Sequence, residues 1–183
     1  IKDVLDHMPT GWVNLTTHRL DIYNESLAKS QFLEQFEVLF SANNSDPSAL
    51  SELPTAFDYI RLGHPLSCLL EWVIAQANNL DPKSVISFSS KTAPVLAILR
   101  KNLLDNRDTR IIYSGELPAS FDVEVLKRVY GYAFELMHVE KAEEVSVFNG
   151  STILISQQDE ICNFDLMPNI DFFINVHDHF GSV

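Results

Sequence analysis

The chain is poor in basic residues, cysteine and glycine, and each shortage removes a class of function. Lys and Arg number 13 against 25 Asp and Glu, for a formal net charge of −12. Nucleic-acid binding needs clustered cations that displace counterions from phosphates, and docking on anionic lipid needs a similar basic patch. Neither nucleic acid nor a membrane is an expected partner. The acids are scattered, which reads as a solvated surface and not as an acidic tail. Cysteine occurs twice, as Cys68 and Cys162, each among apolar neighbours. Two buried reduced thiols are the default, and no C-x-x-C pair offers a structural zinc site. No apolar run approaches the ~18 residues of a membrane span. No basic stretch followed by an apolar one marks a secretion signal, so the cytoplasm is the expected location. N-x-S/T triplets starting at Asn14, Asn24, Asn43 and Asn149 then read as chance matches. Glycine is sparse, with no G-x-G-x-x-G after any apolar run and no P-loop, which argues against a dinucleotide site of the usual type.

What is present is an ordinary globular composition. With 183 residues and 46% of them hydrophobic, the chain can bury a core without disulfides or metal. Residues 1–80 read as a mostly helical N-terminal lobe. Asn24 is placed to cap a helix from Glu25, in which Leu27, Phe32, Phe36, Leu39 and Phe40 recur at near-helical spacing. Residues 42–47 read as a turn-rich break. Pro65 suits the first position of a second helix carrying Leu66, Leu69, Leu70, Val73 and Ile74. Trp12–Thr16 alternates weakly, as a short strand would.

From residue 83 to 183 strands and helices alternate. Strands are expected at 85–88, 110–113, 134–138, 152–155 and 172–176. Helices are expected over about 92–104 and from Asp122 to about Tyr130, with Asp122 as N-cap and Gly131 at the exit. The strands are short and almost wholly apolar, which suits a sheet covered on both faces. The expected fold is therefore α/β: a Rossmann-like, mostly parallel sheet with helices on both faces, forming one compact domain with the helical lobe. Ile86, Phe88, Ile112, Leu136, Leu154 and Ile174 are its expected buried core.

Several strands end in polar, chemically capable residues, and open α/β sheets bind ligands at the carboxyl ends of their strands. Ser89, Ser90, Lys91 and Thr92 stand between a strand and a helix and could hold a small anion on backbone N–H groups and side-chain donors, or simply cap the helix through Ser90. Ser114 and Glu116 follow the second strand, and Gln157 follows the fourth. His177 and His179 end the fifth. On an extended chain both imidazoles would face one way, as a metal pair would require, with His138 or Glu116 as further ligands. The plainer reading leaves these histidines exposed and metal-free. Arg61 and His64 flank a turn, and Asp58 and Glu116 are acids without an evident partner.

Four runs, Phe57–Pro65, Ser87–Thr92, Arg110–Glu116 and Asn169–Phe173, together resemble the N-terminal portion of long bacterial proteins of the Cys/Met-metabolism group of pyridoxal-phosphate (PLP) enzymes, the cystathionine synthases and lyases. The resemblance covers most of the chain from about residue 54. It implies an accessory α/β module of a larger sulfur-amino-acid enzyme, partnered by the rest of a longer polypeptide or by a second copy. The family's Schiff-base lysine follows a serine by three residues. Lys91 has Phe88 there, so no catalytic residue carries over, and PLP belongs to the parent enzyme and not to this segment. The alternative is a free-standing small-molecule-binding protein, or a metal-dependent hydrolase using His177 and His179.

Overall fold

The computed structural model of the protein describes all residues except 14–20, 23, 57–62, 120, 141–144, 162–163 and 165. Arg61, Asp58, Cys162 and most of the strand expected at Trp12–Thr16 therefore lie outside the described residues; Trp12 itself closes a 3-10 turn, Thr10–Trp12. The chain divides into two compact units, Ile1–Val85 and Ile86–Val183. Among the described residues no helix is long and apolar enough to cross a membrane.

The first unit is built from helices α1 (Lys2–Asp6), α2 (Ala28–Ser41), α3 (Pro47–Ser51) and α4 (Pro65–Ala77). Asn24 Oδ1 accepts the Ser26 N–H at 3.1 Å, and a 3-10 turn over Glu25–Leu27 leads into α2. Phe32 and Phe36 stack one turn apart and meet Trp12 and Trp72 edge-on. These rings, with Val4, Leu50, Leu53, Cys68 and Leu69, form the unit's core. Within it lies an ion pair, Lys29 Nζ to Glu71 Oε2 at 2.6 Å, and Lys29 also donates to the Val85 carbonyl. Helix α3 falls after the expected break. Asp46 caps it by accepting the Ser48 N–H at 2.8 Å, with Pro47 at its first position.

The second unit is α/β. Helix α5 (Ala93–Leu104) precedes β1 (Thr109–Tyr113); α6 (Val123–Arg128) and β2 (Glu135–His138) follow; then β3 (Ser151–Gln157), β4 (Phe172–His177) and β5 (Gly181–Ser182). The five strands lie in the order β2-β1-β3-β4-β5, all parallel except the β4–β5 pair. Alternate residues face opposite sides. Ile111, Ile153, Ile155, Ile174 and Val176 pack with Val95 and Leu99 of α5 and Leu126 of α6. Ile112 and Leu154 face the other way, where Val139, Val145 and Ile170 cover them. Within this unit the described residues thus put both helices on one face and connecting segments on the other, where helices on both faces were expected.

The strand expected at 85–88 is not one. Only Phe88 pairs, in a single antiparallel bridge with Ser182, and Ile86 is 43% exposed. It lies beyond β5 at the outer edge of the sheet, where a segment has a strand neighbour on one side only and few partners to hold and cover it. Ile112, Leu154 and Ile174 are buried as expected, whereas Leu136, on the outermost strand β2, is only partly so. Gly181 has φ +96°, and a Cβ there would come within 2.2 Å of the Phe88 carbonyl oxygen, so the bridge requires glycine.

Candidate functional site

The strand order fixes where a ligand can enter. The chain leaves β1 for β2 on one side and then returns to β3 on the other. The carboxyl ends of β1 and β3 therefore diverge into loops at a topological switch point, the usual ligand crevice of open α/β sheets. A crevice of about 390 Å³ lies there, lined by Ser114, Gly115, Glu116, Gln157, Asp159 and Asp178. Each residue arrives from a strand end. The Ser114 N–H still donates to the Ile155 carbonyl, so β1 and β3 stay joined up to the point where Glu116 departs.

Asp159 is held in place by Asn175, a buried residue of β4. Asn175 Oδ1 accepts the Gln158 N–H at 3.0 Å, and its Nδ2 donates to the Gln158 carbonyl at 3.1 Å and the Glu160 carbonyl at 3.3 Å. The amide thus replaces the strand partners that the 158–160 segment lacks. Asp178 is tied across the crevice by the Gln157 side-chain amide, which donates to its carboxylate.

His177 and His179 are not presented on one extended segment. β4 ends at His177, and the chain turns through Asp178–Phe180 into β5, so the extended geometry that would aim both rings one way is lost. His177 Nδ1 accepts the His179 N–H at 3.0 Å, and its Nε2 lies 3.9 Å from Asp159. His138 cannot join them, because β1 and β3 separate its strand from β4, a span of ~14 Å at ~4.8 Å per strand. His138 packs edge-on against Tyr113 instead. Among the described residues no group of three or more His, Cys, Asp or Glu could hold a metal ion.

Of the residues expected to bind a ligand, the fold brings Ser114, Glu116 and Gln157 together. Ser89, Ser90, Lys91 and Thr92 reach the same end of the sheet but do not line the crevice. Ser90 Oγ accepts the Thr92 and Ala93 N–H groups at 3.2 and 3.1 Å, capping α5, and its carbonyl accepts the Ser182 hydroxyl at 2.6 Å. Asp159 and Asp178 were not foreseen. Asp159 sits two residues beyond Gln157, just past the end of β3, a signal the sequence did carry; Asp178 enters only because β4 stops one residue before it.

Comparison of the chain with protein-family models, with curated proteins and with solved structures finds no match.

Proposed function

We propose that this chain is a small-molecule-binding α/β module whose ligand occupies the crevice beyond β1, β3 and β4. The observation that carries this reading is the coincidence of the crevice with the switch point of the strand order. Its volume suits a metabolite-sized ligand. Its lining is rich in acceptors: the ionised carboxylates of Glu116, Asp159 and Asp178 can accept but not donate, and the Gln157 amide N–H is already committed to Asp178. Such a lining favours a ligand bearing hydroxyl or amino groups over the free anion expected from residues 89–92. A Rossmann-like reading of the sheet belongs to the same proposal. So does an accessory role beside the catalytic part of a larger PLP-dependent sulfur-amino-acid enzyme. That role asks for no Schiff-base lysine, and the crevice lining contains none.

An NMR titration of the chain with free amino acids, small polyols and inorganic phosphate tests the reading. Compounds rich in donors should shift the amides of Gly115, Glu116, Gln157 and Asp159. Glu116→Gln combined with Asp159→Asn should weaken that binding about tenfold without lowering the melting temperature. Shifts confined to other surfaces, or binding of phosphate alone around Ser90–Thr92, would overturn it.

A further inference from the structure

The two edges of the sheet end differently. On the β5 side Phe88 and Ser182 close it with a backbone bridge. On the β2 side the last strand has a neighbour on one side only. The Val139 N–H donates to the Tyr113 carbonyl at 3.0 Å, and successive residues of a strand aim their backbone groups to alternate sides. Glu135, Met137 and Val139 therefore face β1, while Leu136 and His138 turn their N–H and C=O groups outward. No partner meets those groups among the described residues. Edges are commonly blunted by lysine or proline, and β2 has neither. Met137 is 45% exposed, and Val129 and Tyr130, in the link from α6 to β2, are exposed as well. Unpaired backbone beside exposed apolar side chains marks a contact surface.

We propose that β2 pairs antiparallel with β2 of a second copy of this chain, about a two-fold axis that passes through Met137 perpendicular to the sheet. Such an axis makes identical surfaces meet, so that residue i faces j and j faces i. Met137 is the middle of the extended segment 135–139, and this register therefore uses the whole of it. Leu136 comes opposite His138 of the partner subunit. The two exchange both backbone hydrogen bonds, and the pair occurs twice, for about four bonds. Met137 meets Met137 of the partner subunit on the face opposite α5 and α6, beside Ile112. Charge selects this partner. Phe134 falls opposite Glu140 of the partner subunit, and the Lys127 ammonium stands 4.9 Å from the centre of the Phe134 ring. Within one copy neither Lys127 nor Glu140 makes an ion pair among the described residues. The pairing brings them together twice. Glu135 falls opposite Val139 and not opposite another acid, so the strands oppose no like charges. The net charge of −12 on each copy acts at longer range, where salt screens it.

The test is sedimentation equilibrium of the full chain over a concentration series in physiological salt. The wild type should show a monomer–dimer equilibrium. Met137→Lys sets two ammonium groups face to face at the axis and should raise the dissociation constant about tenfold or more. Lys127→Glu and Glu140→Lys should each raise it about threefold or more, and the two changes combined should restore it. A chain that stays monomeric, a dimer indifferent to Met137→Lys, or an exchanged pair that does not recover would overturn the proposal. Should a variant fail to fold, hydrogen exchange of the wild type decides. The Leu136 and His138 amides should gain protection as concentration rises, while those of Met137 and Val139, bound to β1, stay protected throughout. Leu136 and His138 amides that exchange equally fast at every concentration would refute it.

Discussion

Replacing Glu71 by leucine should destabilise the helical unit by about 3 kcal/mol, and the reason lies in what the change leaves behind. The side chains of Lys29 and Glu71 are 18% and 7% exposed and meet at 2.6 Å. At an effective dielectric constant of ~20 their attraction is about 6 kcal/mol, much of it offset by the several kcal/mol needed to bring each ion out of water. The intact pair is thus close to neutral in net stability. Glu71→Leu removes the attraction and keeps the desolvated ammonium, with the Val85 carbonyl as a remaining acceptor. Breaking one side of a buried pair costs about 3–5 kcal/mol, and that surviving acceptor places the expected loss at the lower end. Urea unfolding read by tryptophan fluorescence reports this unit directly. The double variant Glu71→Leu with Lys29→Met should return to within about 1 kcal/mol of the wild type. A loss under about 1 kcal/mol for Glu71→Leu, or a double variant no better than the single, would refute the reasoning.

Two further outcomes follow from the second unit. Leu154→Ala and Ile112→Ala, on the face opposite α5 and α6, should each cost about 2–5 kcal/mol in thermal unfolding followed by circular dichroism, while Ile86→Ala, at an exposed position, should stay within about 0.5 kcal/mol. Asp171 gives this unit an acid limb. Burial alone would raise its carboxyl, but the Thr152 N–H and the Arg107 guanidinium outweigh that and hold it below the ordinary value. Its contribution is therefore present above the unfolded pKa and lost as pH falls through the folded one. Because the Arg107 and Asp171 side chains are 41% and 35% exposed, solvent screening keeps it to under about 1 kcal/mol. Asp171→Asn should flatten the acid side of a melting-temperature profile, and an unchanged profile would remove Asp171 from the account.

The helices were legible wherever a start signal coincided with periodic apolar residues: Pro65 ahead of Leu69 and Trp72, and Asp122, which caps α6 through the Val125 N–H. The parallel strands β1, β3 and β4 announced themselves as short apolar runs between turns. The same signal misled at 85–88, because an apolar run does not reveal how many neighbours it will find. Asp46-Pro47 carries a cap and a first-position proline, yet residues 42–47 read as a turn-rich break and nothing in the apolar spacing announces α3 after them. For the site, the strand-end rule found Ser114, Glu116 and Gln157 but not the order of the strands. Without that order, nothing separated His138 from His177 or set residues 89–92 apart from the crevice.

The closure of the sheet by Phe88 and Ser182 has a kinetic side. Ser90 and Ser182, joined by a hydrogen bond, are 92 residues apart in sequence. Bringing such distant segments together is entropically slow, and the gain is small: one bridge and the two-residue strand β5. An edge of this kind is expected to assemble late and to fray early. The turn before it carries Asp178, so fraying would carry one wall of the crevice with it.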